Sequence, residues 1–125
     1  MKLRNVAQVE LRKVAQVVNL EYLKTPFYIM QAIISPSTHK NNKFDAKFPD
    51  GTIVSFGAAG YSDFTKHKDE ARKQSYIKRH QANEDWTNIK TPGFLSRFIL
   101  WNKPTIEASI RDLNARYKTV RFTLK

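Results

Sequence analysis

A tight turn at Pro49-Asp50-Gly51 divides the middle of this sequence. Pro49 presets φ for a turn, Asp50 accepts a local backbone hydrogen bond, and Gly51 supplies a positive φ without steric cost. The residues before the turn alternate between polar and apolar, as they do in half-buried strands. We therefore predict a β-hairpin over about residues 43–57, in which one face carries Phe44, Ala46 and Phe48.

Four helices are expected around this hairpin. The first and last of these helices show apolar residues at helical spacing. Thr91-Pro92 supplies a cap and a first-turn proline for the third helix. The third helix is apolar almost all round and should be the central core helix. The second is mostly polar, with Ser62, Asp63 or Thr65 as its cap, so it should lie on the surface. The predicted helices cover about residues 2–23, 66–81, 92–101 and 104–117.

These elements predict a small α+β fold with a single core domain. Residues 27–34 form a buried strand or a short helix, residues 35–42 a loop, and residues 118–125 an edge strand or an ordered tail. The loop is the expected boundary between an amphipathic and apolar N-terminal extension, residues 1–42, and a hairpin-plus-helices core, residues 43–125.

Composition excludes several functional classes. The 125 residues include no cysteine, which rules out a disulfide framework, a thiolate zinc site and a cysteine nucleophile. No apolar run approaches the roughly 20 residues that span a bilayer, so the chain is not expected to be transmembrane. No nucleophile elbow, phosphate-cradling glycine loop or zinc signature is present. The sequence therefore predicts a protein that is not an enzyme and needs no cofactor.

The chain is strongly basic, with 22 Lys and Arg residues against 11 Asp and Glu residues and a net charge of +11. Such a charge favours an acidic or polyanionic partner. Residues 66–80 concentrate part of it, and a helix there can track a phosphate backbone or be a solvated helix with weak ion pairs. The candidate binding residues are Lys66, Lys68, Arg72, Lys73, Lys78 and Arg79.

Aromatic residues are a second source of binding, since rings can stack on unpaired bases. Most aromatic side chains of this chain are better used in the core. Tyr61 and Trp86 lie in predicted loops beside charged residues, so they are expected to be the exposed pair.

One cluster suggests metal ligation, and it consists of Asp63, His67 and Asp69. A hard-metal site needs several converging carboxylates, so a helix cap with surface ion pairs is the stronger interpretation. No metal is therefore predicted.

Arg97 is alone on an apolar helix. It either pairs with Asp63 or Asp69, pinning the polar helix to the core, or extends to solvent. The residues expected to be structural are Gly51, Asp63, Arg97, Trp101 and Pro104.

An ordered series of distinctive blocks runs between Lys43 and Tyr117. The blocks are Phe48-Pro49-Asp50-Gly51 with Ser55-Phe56-Gly57, then residues 60–69, then Tyr76-Ile77-x-Arg79-His80, then residues 93–104. The series resembles a family of short uncharacterised proteins encoded by large nucleocytoplasmic DNA viruses. The resemblance implies a viral, virion-associated protein with no established enzyme activity, and it implies no mechanism.

Two hypotheses of function follow. The first is a non-enzymatic structural component of a large DNA virus particle, a minor capsid, cement or capsid-interior protein that docks on the major and other minor capsid proteins. Such a protein belongs in the virion, and in the host cytoplasm before packaging. The second is a sequence-nonspecific viral nucleic-acid-binding protein that contacts double-stranded DNA. We favour the first, because the basic residues are interleaved with core elements rather than concentrated in a flexible arm. Neither involves a small-molecule substrate.

Overall fold

The structure, a computed structural model, describes residues 30–125. The predicted helix over residues 2–23 lies outside the described residues. The described part contains four strands, four α-helices and one π-helical segment. In chain order these are β1 (Met30–Pro36), β2 (Asn42–Lys47), β3 (Ile53–Ala58), α1 (Phe64–His67), α2 (Glu70–Gln81), α3 (Pro92–Leu95), the π-helical segment (Ser96–Leu100), α4 (Ile106–Arg116) and β4 (Val120–Leu124). The α+β class is confirmed.

The strands form one sheet in the order β3-β2-β1-β4. β2 pairs antiparallel with both β1 and β3. Because side chains alternate across a strand, one face of the sheet collects the apolar residues and packs against the helices. The buried residues of this face are Ala32, Ile34, Ala46, Val54, Phe56, Val120 and Phe122.

The predicted hairpin is confirmed. Phe44 lies opposite Phe56 and Ala46 opposite Val54 in the β2–β3 pair. Gly51 has a φ of 93°, the left-handed conformation that the turn requires. The region predicted as a buried strand or short helix is a strand where the structure describes it, namely β1.

The sheet extends across the expected domain boundary. β1 pairs with β2 through registers such as Ile34 opposite Ala46, so the residues before position 43 complete the core. Residues Gln31–Lys125 form one compact unit.

The single helix predicted over residues 66–81 is two helices. α1 starts at the cap Asp63 and ends at Lys68, whose φ of 54° is left-handed and stops the helix. α2 starts at a second cap, Asp69, whose carboxylate accepts two backbone N–H groups of its first turn. Two capping aspartates six residues apart thus produce a short helix, a turn and a long helix.

The predicted core helix begins at Thr91, whose hydroxyl accepts the N–H of Phe94. After one α-helical turn it widens into the π-helical segment, where the N–H of Trp101 donates to the Ser96 carbonyl at 3.0 Å. The Asn102 side chain donates to the Phe98 carbonyl at 3.2 Å and satisfies part of the wider turn. π-Helical turns are rare and often occur at functional sites.

One side chain of α4 links this last helix to the last strand, β4. Asn114 of α4 donates to the Phe122 carbonyl at 2.9 Å and accepts the Phe122 N–H at 2.7 Å. This amide therefore pairs with the β4 backbone as a neighbouring strand would. The predicted edge strand is confirmed, because β4 lies at one edge of the sheet.

We expect Gly57→Ala to destabilise the protein more than Gly60→Ala. Both glycines have positive φ angles, 80° and 90°, so alanine costs about 1 to 2 kcal/mol at either position. A Cβ at Gly57 would lie 2.7 Å from Cδ1 of the buried Leu100, whereas nothing lies within 4 Å of one at Gly60. Urea unfolding should give an additional loss of about 1 to 3 kcal/mol for Gly57→Ala. Equal losses would contradict this close packing.

Candidate binding groove

An open groove of about 460 Å³ lies between three parts of the fold. One wall is α2, the second is the segment from Gly57 to Asp63, and the third is the core helix with its π-helical segment. Residues from distant parts of the sequence, such as Lys43 and Trp101, line the same space. We call it the arginine groove, because Arg72 and Arg79 line it.

The floor of the arginine groove is a stack of rings. Tyr76 lies parallel to Trp101, with centroids 4.3 Å apart and an angle of 3°. His80 stacks on Tyr76 at 4.1 Å. Burial raises the pKa of the Tyr76 hydroxyl well above its ordinary value, so it is neutral at physiological pH. The floor therefore combines an apolar, rigid surface with a few polar edges.

One ion pair and one histidine–carboxylate contact lie in the walls. Lys43 Nζ is 2.6 Å from a carboxylate oxygen of Asp63, and both side chains are largely buried, with 14% and 2% of their surface exposed. His80 Nδ1 is 2.8 Å from a carboxylate oxygen of Glu84, and the other oxygen of Glu84 accepts the Trp86 indole N–H at 2.9 Å. Both carboxylates of the groove are thus engaged with neighbours in its own walls.

Arg72 and Arg79 differ from these groups. Both are exposed, and they lie seven residues apart, which is about two turns, on one face of α2. Within residues 30–125, neither guanidinium group has a hydrogen-bond or ion-pair partner. With respect to the described residues, the groove therefore presents two unneutralised cations, and their Cα atoms lie about 10.5 Å apart along the helix axis.

The other four predicted binding residues do not line the arginine groove. Lys66 lies in α1 beside a neighbouring pocket, and Lys68 donates to the Thr65 carbonyl at 2.9 Å. Lys73 points to the core, where its Nζ donates to the Asn102 carbonyl at 2.7 Å. Burial lowers the pKa of Lys73, and the charge of Glu70 opposes that shift. Lys78 is exposed and lines none of the pockets described here.

The expected pairing of Arg97 with Asp63 or Asp69 is wrong. Lys43 takes the carboxylate of Asp63, and Asp69 caps α2. Arg97 instead donates from Nη1 to the Trp101 carbonyl at 2.9 Å and lies over the rings of Trp86 and Phe98. Burial lowers its pKa, and the charge of Arg116 adds to the effect.

The remaining structural candidates have separate positions. Trp101 ends the π-helical segment and forms part of the groove floor. Gly51 lies in the hairpin turn and Pro104 precedes α4, both away from the arginine groove. Among residues 30–125, no group of three or more His, Asp or Glu side chains is placed to hold a metal ion.

Several groove residues were not selected from the sequence. Lys43 and Glu84 lie in segments that gave no binding signal, and their roles depend on contacts with residues 20 and 4 positions away. Tyr61 is 73% exposed, as predicted, but Trp86 is only partly exposed because it packs under Arg97. The helical spacing of Arg72, Tyr76 and Arg79 is the one sequence signal that pointed to a shared face.

Comparison with protein families gives one match. Residues 32–80, less than half of the chain, match a family described as "Family of unknown function (DUF5754)". No curated protein and no solved structure matches the chain. Within the described residues, no helix has the length and hydropathy needed to cross a membrane.

We expect Lys43→Met to destabilise the protein by about 3 to 5 kcal/mol, because it leaves the Asp63 carboxylate buried without its cation. The matched control is Lys90→Met, which removes the other 2.6 Å lysine–aspartate contact, one whose side chains are 30% and 52% exposed. That change should cost less than about 1 kcal/mol. Urea unfolding of both variants tests the difference, and similar losses would show that burial of the Lys43 pair does not matter.

Proposed function

We propose that this chain is a non-enzymatic nucleic-acid-binding protein and that the arginine groove is its phosphate-binding surface. The observation that carries the proposal is the pair of guanidinium groups on one face of α2 that no residue of the described range 30–125 neutralises. Arginine binds phosphate through a planar fork of N–H donors, and it is frequently bidentate.

The charge balance of the groove supports a polyanionic ligand. Asp63 and Glu84 are its carboxylates, and Lys43 neutralises Asp63. Glu84 lies 2.8 Å from His80 Nδ1, which carries a charge only when protonated. Among the described lining residues, the positive charges of Lys43, Arg72 and Arg79 therefore exceed the negative charges of the two carboxylates. The net charge of +11 over the whole chain adds a long-range attraction for a phosphate polymer.

The separation of the two arginines suits a polymer that carries several phosphates. Two turns of helix place their Cα atoms about 10.5 Å apart, so the two side chains can contact separate phosphates of one backbone. A backbone with regularly repeated phosphates provides separate partners for the two groups. Contacts of this kind fix position without reading sequence, which agrees with a sequence-nonspecific protein.

The double variant Arg72→Ala/Arg79→Ala should weaken nucleic-acid binding about tenfold or more. It should also reduce the slope of log K against log salt by about 1.4 for single strands to 1.8 for duplexes, since two phosphate contacts are lost. Fluorescence anisotropy with a labelled mixed-sequence oligonucleotide, as single strand and as duplex, measures both quantities over a salt series.

The matched control is Arg111→Ala/Arg121→Ala, which removes the same charge from exposed positions that do not line the groove. It should change affinity through net charge alone and leave the slope nearly unchanged. Equal effects of the two double variants would refute the arginine groove as the phosphate surface. Absence of binding by the unmodified protein to either oligonucleotide would refute the function.

A second candidate function is a structural component of a large DNA virus particle that docks on capsid proteins. The observation in its favour is that β3 lies at one edge of the described sheet and that its first residue, Ile53, is 54% exposed. An edge strand with an apolar side chain is suited to contact with another protein.

Salt fractionation of purified particles separates the two candidates. A protein held by phosphate contacts should leave with the DNA as salt rises, because counterion release governs its affinity. A capsid component should stay with the shell at salt concentrations that strip the DNA. Absence of the chain from particles would contradict the second candidate.

A further inference from the structure

Tyr61 lines the arginine groove, and its side chain has no partner among residues 30–125. It is 73% exposed, the largest fraction among the exposed large hydrophobic residues of the described chain. It lines both the arginine groove and the pocket beside it. Among residues 30–125, no other ring stacks on it.

The backbone that carries Tyr61 is held in place. The Tyr61 N–H donates to the Ala58 carbonyl at 3.3 Å, and the Ala59 N–H donates to the Asn41 carbonyl at 3.0 Å. Two residues after Tyr61, Asp63 is fixed by Lys43 and by its role as the cap of α1. An exposed ring on an anchored backbone needs little ordering when a ligand binds, which favours affinity.

Resting on the proposed function, we infer that the groove binds single-stranded nucleic acid in preference to duplex. Tyr61 stacks on an unpaired base while Arg72 and Arg79 contact phosphates. Base stacking on an exposed ring requires a free π-face, and the bases of a duplex already cover each other's faces. The combination of a basic groove and an unpartnered aromatic ring is the arrangement that binds single strands without sequence preference.

The test compares Tyr61→Ala and Tyr61→Phe for binding to oligothymidylate of about 16 nucleotides and to a duplex of the same length. Stacking of one base corresponds to a loss of roughly 5-fold to 150-fold in affinity on removal of the ring. We expect that loss for Tyr61→Ala on the single strand, little change on the duplex, and near-normal binding of both by Tyr61→Phe. Because Tyr61 is mostly exposed, both variants should fold.

The possible failures are distinct. If Tyr61→Ala binds the single strand as tightly as the unmodified protein, or loses single strand and duplex equally, the stacking inference is wrong. The proposed function still stands in either case if the Arg72→Ala/Arg79→Ala variant loses affinity and salt slope. If the unmodified protein binds the duplex more tightly than oligothymidylate, the single-strand preference is wrong while phosphate binding is retained. If neither polymer binds, both proposals are overturned.

Discussion

The buried contact between Lys43 and Asp63 connects the sheet to the helices that follow it. Lys43 belongs to β2, and Asp63 caps α1, so one 2.6 Å contact fixes where the first helix starts relative to the hairpin. The segment that carries Tyr61 ends at this point, and α2 follows one turn later. An uncompensated charge at either position would be costly in a buried environment, so each residue depends on the other. The geometry of the arginine groove therefore depends on this pair.

The basic residues near the groove are of two kinds, those that bind acceptors within the protein and those that do not. Lys43 and Lys73 bind acceptors within the protein, namely the Asp63 carboxylate and the Asn102 carbonyl respectively, and these contacts link elements of the fold. Arg72 and Arg79 are the second kind: no described residue neutralises them, so their charges are available to a ligand. The apolar floor of stacked Tyr76 and Trp101 gives the site a fixed shape. A basic sequence thus becomes a surface with a small number of positioned cations.

Local sequence signals predicted most of the elements correctly. The hairpin follows from the turn chemistry of Pro49 to Gly51, and the core helix follows from Thr91 and Pro92. The errors have physical causes. Asp69 is a second cap, so no continuous helix runs over residues 66–81. Within the described residues Arg97 donates to the Trp101 carbonyl and not to a carboxylate, and the charge pattern of a sequence does not indicate a backbone acceptor. Among the six basic candidates, helix phase alone distinguishes Arg72 and Arg79 from Lys73, and that phase has meaning only once the position of the core is known.

The sequence by itself determined the α+β class, the hairpin turn, the start of the core helix at Thr91 and the excess of positive charge. These depend on interactions between residues close together in the chain, whose geometry the amino acid types dictate. Only the tertiary structure decided that Lys43 neutralises Asp63, that β1 belongs to the core sheet, and that Arg72 and Arg79 have no side-chain partner within the part of the chain that is described. Each of these outcomes depends on which distant residues meet, because burial and ion pairing are properties of neighbours in space and not of neighbours in sequence.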